Sequence, residues 1–164
     1  FRSSVRAEAL DLVVEAAIVA KSGDNWTQQV LSISVAEPED AEPMVLRAGD
    51  RLQLSLTSST GNYVYLYEID PKGQAYRVPD RAARPVRLEP GQPLKLPDKG
   101  AITVRGPAGR WSTLILAGPE RIRAIEDLDL LYRQSGENQR QQLGMELIAA
   151  LKSEMIAEVS YLVD

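Results

Sequence analysis

The chain has 164 residues, 44% of them hydrophobic, and a formal net charge of −4, which suits one soluble globular domain built on a single core. It contains neither histidine nor cysteine. That excludes Ser-His-Asp and Cys-His nucleophilic sites, disulfides, CxxC redox pairs and the usual zinc ligand sets, so no metal and no cofactor are expected.

The chain opens on Phe1 rather than methionine. A processed or trimmed start is expected, with any signal peptide or lipid-anchor cysteine lying upstream of it. From Val5 to Ala20, Glu8, Asp11 and Glu15 recur at helical spacing opposite Leu10, Val13, Val14, Ala17 and Ile18, which predicts an amphipathic helix. The β-branched Val13, Val14, Ile18 and Val19 keep a strand open as the alternative, with "KSGDNW" at Lys21 to Trp26 as its hairpin turn. The longest apolar run, Leu12 to Ala20, contains Glu15 and falls short of the roughly 20 residues that cross a bilayer, so no membrane span is expected.

Eight short strand-like runs follow at sandwich or barrel spacing: Val30 to Val35, Arg51 to Ser58, Asn62 to Ile69, Gln74 to Val78, Val86 to Leu88, Leu94 to Leu96, Ala101 to Val104 and Ser112 to Ala117. "STG" at Ser59 to Gly61 and "DPKG" at Asp70 to Gly73 read as hairpin turns, the second with glycine where a positive φ is needed. Pro119 marks a first helical turn, and Ile122, Ile125, Leu128 and Leu131 form the stripe of a helix that ends near Gly136. Leu143, Leu147, Ile148, Leu151 and Met155 make a second helix, after which Val159, Tyr161 and Val163 alternate as a closing strand. The expected fold is therefore α+β, mainly β: an antiparallel β-sandwich or barrel-like sheet with an N-terminal helix, two C-terminal helices and a C-terminal strand. One domain spans 1–164, with the first helix in 1–22, the β core in 28–118 and the helical extension with the final strand in 119–164.

"RAGDRLQLSLTSSTGNYVYLYEIDPKGQAY" at Arg47 to Tyr76, "LEPGQPLKLPD" at Leu88 to Asp98 and "ITVRGPAGRWSTLILAG" at Ile102 to Gly118 carry three small motifs in order. These are the Gly49-Asp50 strand entry, the Gly61 to Asp70 run that passes through Tyr63 and Tyr65 to an Asp-x-x-Gly turn, and the Gly106 to Gly109 turn before an apolar strand. In this order they resemble the bacterial domain of unknown function 4384 over about residues 30–118. Where that family continues into an apolar-aromatic-Pro-Asn stretch, this chain has Arg77, Val78, Pro79 and Asp80. The resemblance implies an accessory β domain, of the kind appended to bacterial kinases, caspase-like peptidases and exported or lipid-anchored envelope proteins. It brings no catalytic residue with it.

Two surfaces are candidate binding sites. Tyr63, Tyr65 and Tyr67 alternate along one strand and so share one face, with Tyr67 expected opposite Arg77 across the hairpin. The rings are either an aromatic platform or core beneath a terminal helix, and burial is favoured because amphipathic helices need a sheet face to cover. The segment Pro71 to Arg110 carries nine basic residues against three acidic ones in a net acidic chain, Arg77, Arg81, Arg84 and Arg87 among them. An acidic cluster at Glu37 to Glu42 lies elsewhere. Such a basic surface fits a protein partner with an acidic surface better than nucleic acid, for which no motif is present. Carboxylate pairs such as Asp127 with Asp129 are read as solvated, and no catalytic residue is assigned.

The expected function is a non-catalytic protein-interaction domain of a bacterial envelope or secretion-linked protein. The alternative is a small-ligand or cell-wall glycan module that uses the tyrosine face. The compartment follows as the envelope or periplasm, with the cytoplasm as alternative, and oligomeric state is left open.

Overall fold

The computed structural model describes residues 2–3, 12–22, 25–32, 44–77, 85–96 and 102–164. In chain order the elements are β1 (Arg2–Ser3), β2 (Leu12–Ser22), β3 (Asn25–Ser32), β4 (Met44–Leu46), β5 (Arg51–Ser58), β6 (Asn62–Ile69), β7 (Ala75–Arg77), β8 (Val86–Leu88), β9 (Leu94–Leu96), β10 (Ile102–Thr103), β11 (Gly109–Gly118), the helices α1 (Arg123–Gln134) and α2 (Glu137–Glu154), and β12 (Ala157–Val163). Mixed α+β, mainly strand, is the observed class, and the strands form two sheets that do not close into a barrel.

The larger sheet is built around β12, β11 and β6, paired antiparallel. Two short strands share each outer edge: β1 and the parallel β4 on β12, and β7 and β8 on β6. The second sheet runs β3, β2, β5, with β9 and β10 sharing the free edge of β5.

Period-2 alternation then divides the larger sheet by face. Val64, Leu66, Ile115, Val159, Tyr161 and Val163 join Leu52, Leu54 and Leu56 of the second sheet in one buried cluster, so both sheets supply the same core. Tyr65, Tyr67, Leu114 and Leu116 point the other way and form a second cluster with Ile125 and Tyr132 of α1 and Leu147 and Leu151 of α2. Fully burying a leucine at such a position stabilises by about 1.5–3 kcal/mol.

Several expectations are met. The two C-terminal helices and the closing strand are present, and Val159, Tyr161 and Val163 are buried while Glu158, Ser160 and Leu162 are less so. At "DPKG", Gly73 takes φ +81°, its amide reaches the Asp70 carbonyl at 3.0 Å, and the Asp70 amide reaches the Gln74 carbonyl at 3.0 Å. Tyr67 pairs with Arg77 as the spacing required.

Others are corrected. Over its described part, the N-terminal helix expected across Val5 to Ala20 is strand β2, paired to β3 on one side and β5 on the other. Two-sided pairing of β-branched residues outweighs the helix propensity of the alanines, and residues 4–11 lie outside the described residues. "STG" is not a hairpin, because β5 and β6 belong to different sheets. The chain crosses there through side-chain bonds, with Asn62 Nδ2 donating to the Thr60 carbonyl at 3.1 Å and the Thr60 amide donating to Ser58 Oγ at 3.2 Å. Helix α1 begins at Arg123, four residues beyond Pro119. Leu131 of its expected stripe is 56% exposed, while Asp129 and Tyr132 are buried.

Candidate functional site

The tyrosine face is occupied. Tyr65 is 2% exposed and Tyr67 1%, and Tyr63 is half-buried at the strand's start. Burial of a phenol requires a partner for its hydroxyl, and α1 supplies one for each of the two covered rings.

Tyr65 donates to Glu126 Oε2 at 2.7 Å and accepts from the Ile122 amide at 3.0 Å. Ile122 is the N-cap residue and caps α1 with no side-chain bond of its own, so the phenol from the sheet sets where the helix begins. Arg121 closes the group, with Nε 3.1 Å from Glu126 Oε2 and Nη2 on Oε1. Burial first, and then the bond to Glu126, push the Tyr65 hydroxyl up to about 12. The Arg121 guanidinium holds the Glu126 carboxyl below the usual carboxylate range.

One turn further along, Tyr67 donates to Asp129 Oδ2 at 3.1 Å. The same carboxylate receives Arg77 Nη1 at 2.9 Å and Arg133 Nε at 2.8 Å. The Asp129 side chain is 3% exposed and that of Arg77 11%. Burial and the neighbouring Asp129 charge drive the Tyr67 hydroxyl well above its ordinary value. Asp129 is thus no solvated member of an Asp127–Asp129 pair but the buried counter-ion of two arginines. An acid on a helix reads as a solvent-facing position in sequence, and its partner Arg77 is 52 positions away on another element.

The remaining candidates stand apart from this cluster. Arg87 lies over the Tyr63 ring at 4.8 Å and 3.5 Å from Glu89, with its side chain half exposed. Arg81 and Arg84 lie outside the described residues. Of the other basic residues between Pro71 and Arg110, Lys72, Lys95, Arg105 and Arg110 are exposed. Arg77 therefore belongs to the interior ion-pair group, while Arg87 shares the exposed surface with these lysines and arginines.

On the opposite face of the larger sheet, Glu68 is 5% exposed and accepts from the Tyr161 hydroxyl at 3.0 Å. Tyr161 in turn stacks against Trp111 with ring centroids 6.5 Å apart. Burial raises the Glu68 carboxyl above its ordinary value, opposed by Tyr161 and by the charge of Arg105. No group of carboxylates among the described residues could hold a metal ion, and no described helix is long and apolar enough to cross a membrane.

Residues 45–121, from β4 through the strand and turn motifs to Arg121, match the family described as domain of unknown function (DUF4384). The match supports the resemblance read from the motifs. No curated protein matches it. The DUF4384 match starts later than the Val30 expected from the motifs and ends three residues beyond Gly118. It takes in Tyr65, Tyr67, Arg77 and Arg121, whereas Glu126, Asp129 and Arg133 lie beyond it. The tyrosine-carboxylate groups therefore join the DUF4384 part to the helical extension.

Proposed function

We propose that the chain is a non-catalytic accessory domain that binds an acidic protein partner within a bacterial envelope or secretion-linked assembly. Its two sheets form a β-sandwich, with α1 and α2 laid over one outer face. The observation that carries this reading is the division of labour among the charged groups. The carboxylates nearest to a catalytic arrangement, Glu126 and Asp129, are each committed to an arginine and a tyrosine inside the protein. Arg87, Lys95, Arg105 and Arg110 face solvent. Committed groups hold a structure together, and exposed like charges draw an oppositely charged surface.

The family resemblance supports the accessory role and the envelope or periplasmic setting, with the cytoplasm as the alternative compartment. A glycan platform on Tyr63, Tyr65 and Tyr67 would need an open tyrosine face, and two of those rings lie beneath α1. Affinity capture by the wild-type protein, set against a variant with exposed cations reversed, tests the interaction reading.

A further inference from the structure

Helix α2 has a side that meets the core only at Gly144, buried against Tyr132, and at Ile148, which packs on the edge of the second cluster. Arg140, Gly144, Ile148 and Lys152 recur at intervals of four and so share one side of the helix, with Met145 beside them. Leu147 and Leu151 point into the core instead. Together with Tyr132 of α1 and Lys72 of the turn before β7, this side lines a cavity of about 780 Å³. That volume lies within the range of about 300–1,000 Å³ typical of small-ligand and peptide-anchor sites.

Three cations, Lys72, Arg140 and Lys152, surround an apolar centre, and Glu137 is the one carboxylate in the lining. Met145 is 62% exposed at the lip, and a flexible thioether there adapts to varied apolar side chains. Gly144 lets Tyr132 pack directly on the helix, since a Cβ there would stand 3.1 Å from Tyr132 Cε2. The face of the Tyr132 ring is taken by the Arg140 guanidinium, 5.0 Å from its centroid.

We infer that this cavity receives a short extended segment of the acidic partner, with apolar residues set between two carboxylates. The inference rests on the interaction reading above and gives that partner an anchor point. Twelve residues separate Arg140 from Lys152, which places them about 18 Å apart along the helix. An extended peptide of about six residues covers that distance at roughly 3.3 Å per residue. Carboxylates at its two ends meet the two cations, Lys72 faces them from the turn, and the middle residues lie on Met145 and Ile148. Nucleic acid is the weaker fit, because the lining's one aromatic ring already stacks with Arg140 and offers no face to a base.

The test is fluorescence anisotropy with a labelled hexapeptide, Glu-Ser-Leu-Leu-Ser-Glu. Saturable binding that weakens with salt is expected. The Arg140→Glu/Lys152→Glu double variant should bind about tenfold more weakly while remaining folded, with a melting temperature lowered only by the lost stacking of Arg140 on Tyr132. Met145→Ala should lose about threefold by giving up apolar contact, and a peptide with glutamine at both ends should bind more weakly than the parent. Absence of saturable binding, equal binding by the double variant, or displacement by an equal concentration of oligothymidylate would overturn the assignment. Should a captured partner be indifferent to the double variant yet lost when Arg87, Lys95 and Arg110 are reversed, the cavity assignment falls and the interaction reading stands.

Discussion

Tyr67 and Asp129 lie 62 positions apart and meet through a 3.1 Å hydrogen bond where β6 faces α1. The bond joins the DUF4384 strand to the helical extension, and Arg77 and Arg133 close on the same carboxylate. Removing that carboxylate leaves the mostly buried Arg77 guanidinium and the buried Tyr67 phenol without their shared partner, while Arg133 keeps a third of its side chain in solvent. Asp129→Ala is therefore expected to destabilise by about 3–5 kcal/mol, the usual cost of breaking a buried pair from one side. Tyr67→Phe, which removes one neutral donor, should cost about 1 kcal/mol. Urea unfolding measures both, and an Asp129→Ala loss no larger than that of Tyr67→Phe would show the ion-pair group to be idle.

Alkaline pH tests the buried phenols together. Tyr65 is pushed up to about 12, and Tyr67 and Tyr161 are driven up by burial as well. Above the ordinary phenol value of 10.0 the unfolded chain releases protons that the folded chain still holds, so stability falls as pH rises through this window. Tyrosinate absorbance should then appear for these three in step with loss of the circular dichroism signal. Their full ionisation while the spectrum stays native would contradict the burial.

Glu68 follows the same sign at lower pH. Its carboxyl is raised by burial, so the folded state holds a proton at pH values where the unfolded chain has lost it. The group therefore lowers stability as pH climbs from 4.5 through its folded value. Glu68→Gln keeps an acceptor for Tyr161 without the charge. It should raise the urea midpoint at neutral pH, with the gain shrinking as pH falls towards 4.5. A midpoint lowered equally at both pH values would refute this.

Strand β12 is paired on both edges, with β11 on one side and β1 and β4 on the other. A chain ending at Ile156 would lose Val159, Tyr161 and Val163 from the shared core and expose the edge of β11. That truncation is expected to remove cooperative unfolding altogether. An unchanged urea midpoint would make the strand a dispensable tail.

The parts of this fold legible in the sequence are those that local chemistry decides. Asp70, Pro71 and Gly73 specify their turn without help, and the alternation at Val159, Tyr161 and Val163 specifies its strand. The tyrosine spacing correctly placed the rings on one face, and the need of amphipathic helices for a surface correctly favoured burial. Long-range pairing decided the rest. Leu12–Ser22 has helix-like composition and becomes a strand because β3 and β5 flank it. Ser59 to Gly61 has hairpin composition and crosses between sheets because β6 pairs with β11 instead of β5. Asp129 was hidden because burial of an acid depends on Arg77 and Tyr67, which only the folded chain brings to it. The α2 cavity was hidden in the same way, since Lys72 and Lys152 are 80 positions apart and their side chains look solvated one at a time.

The most direct measurement of the interaction claim is affinity capture followed by association kinetics. Wild-type protein and the Arg87→Glu/Lys95→Glu/Arg110→Glu variant would be immobilised side by side and offered a bacterial lysate at low and high salt. The account predicts that the wild type retains an acidic protein at low salt, with an association rate that falls as salt rises. The variant, of near-unchanged melting temperature, should associate more slowly. Retention of no acidic protein by the wild type, or equal association rates for the two proteins at every salt concentration, would contradict it.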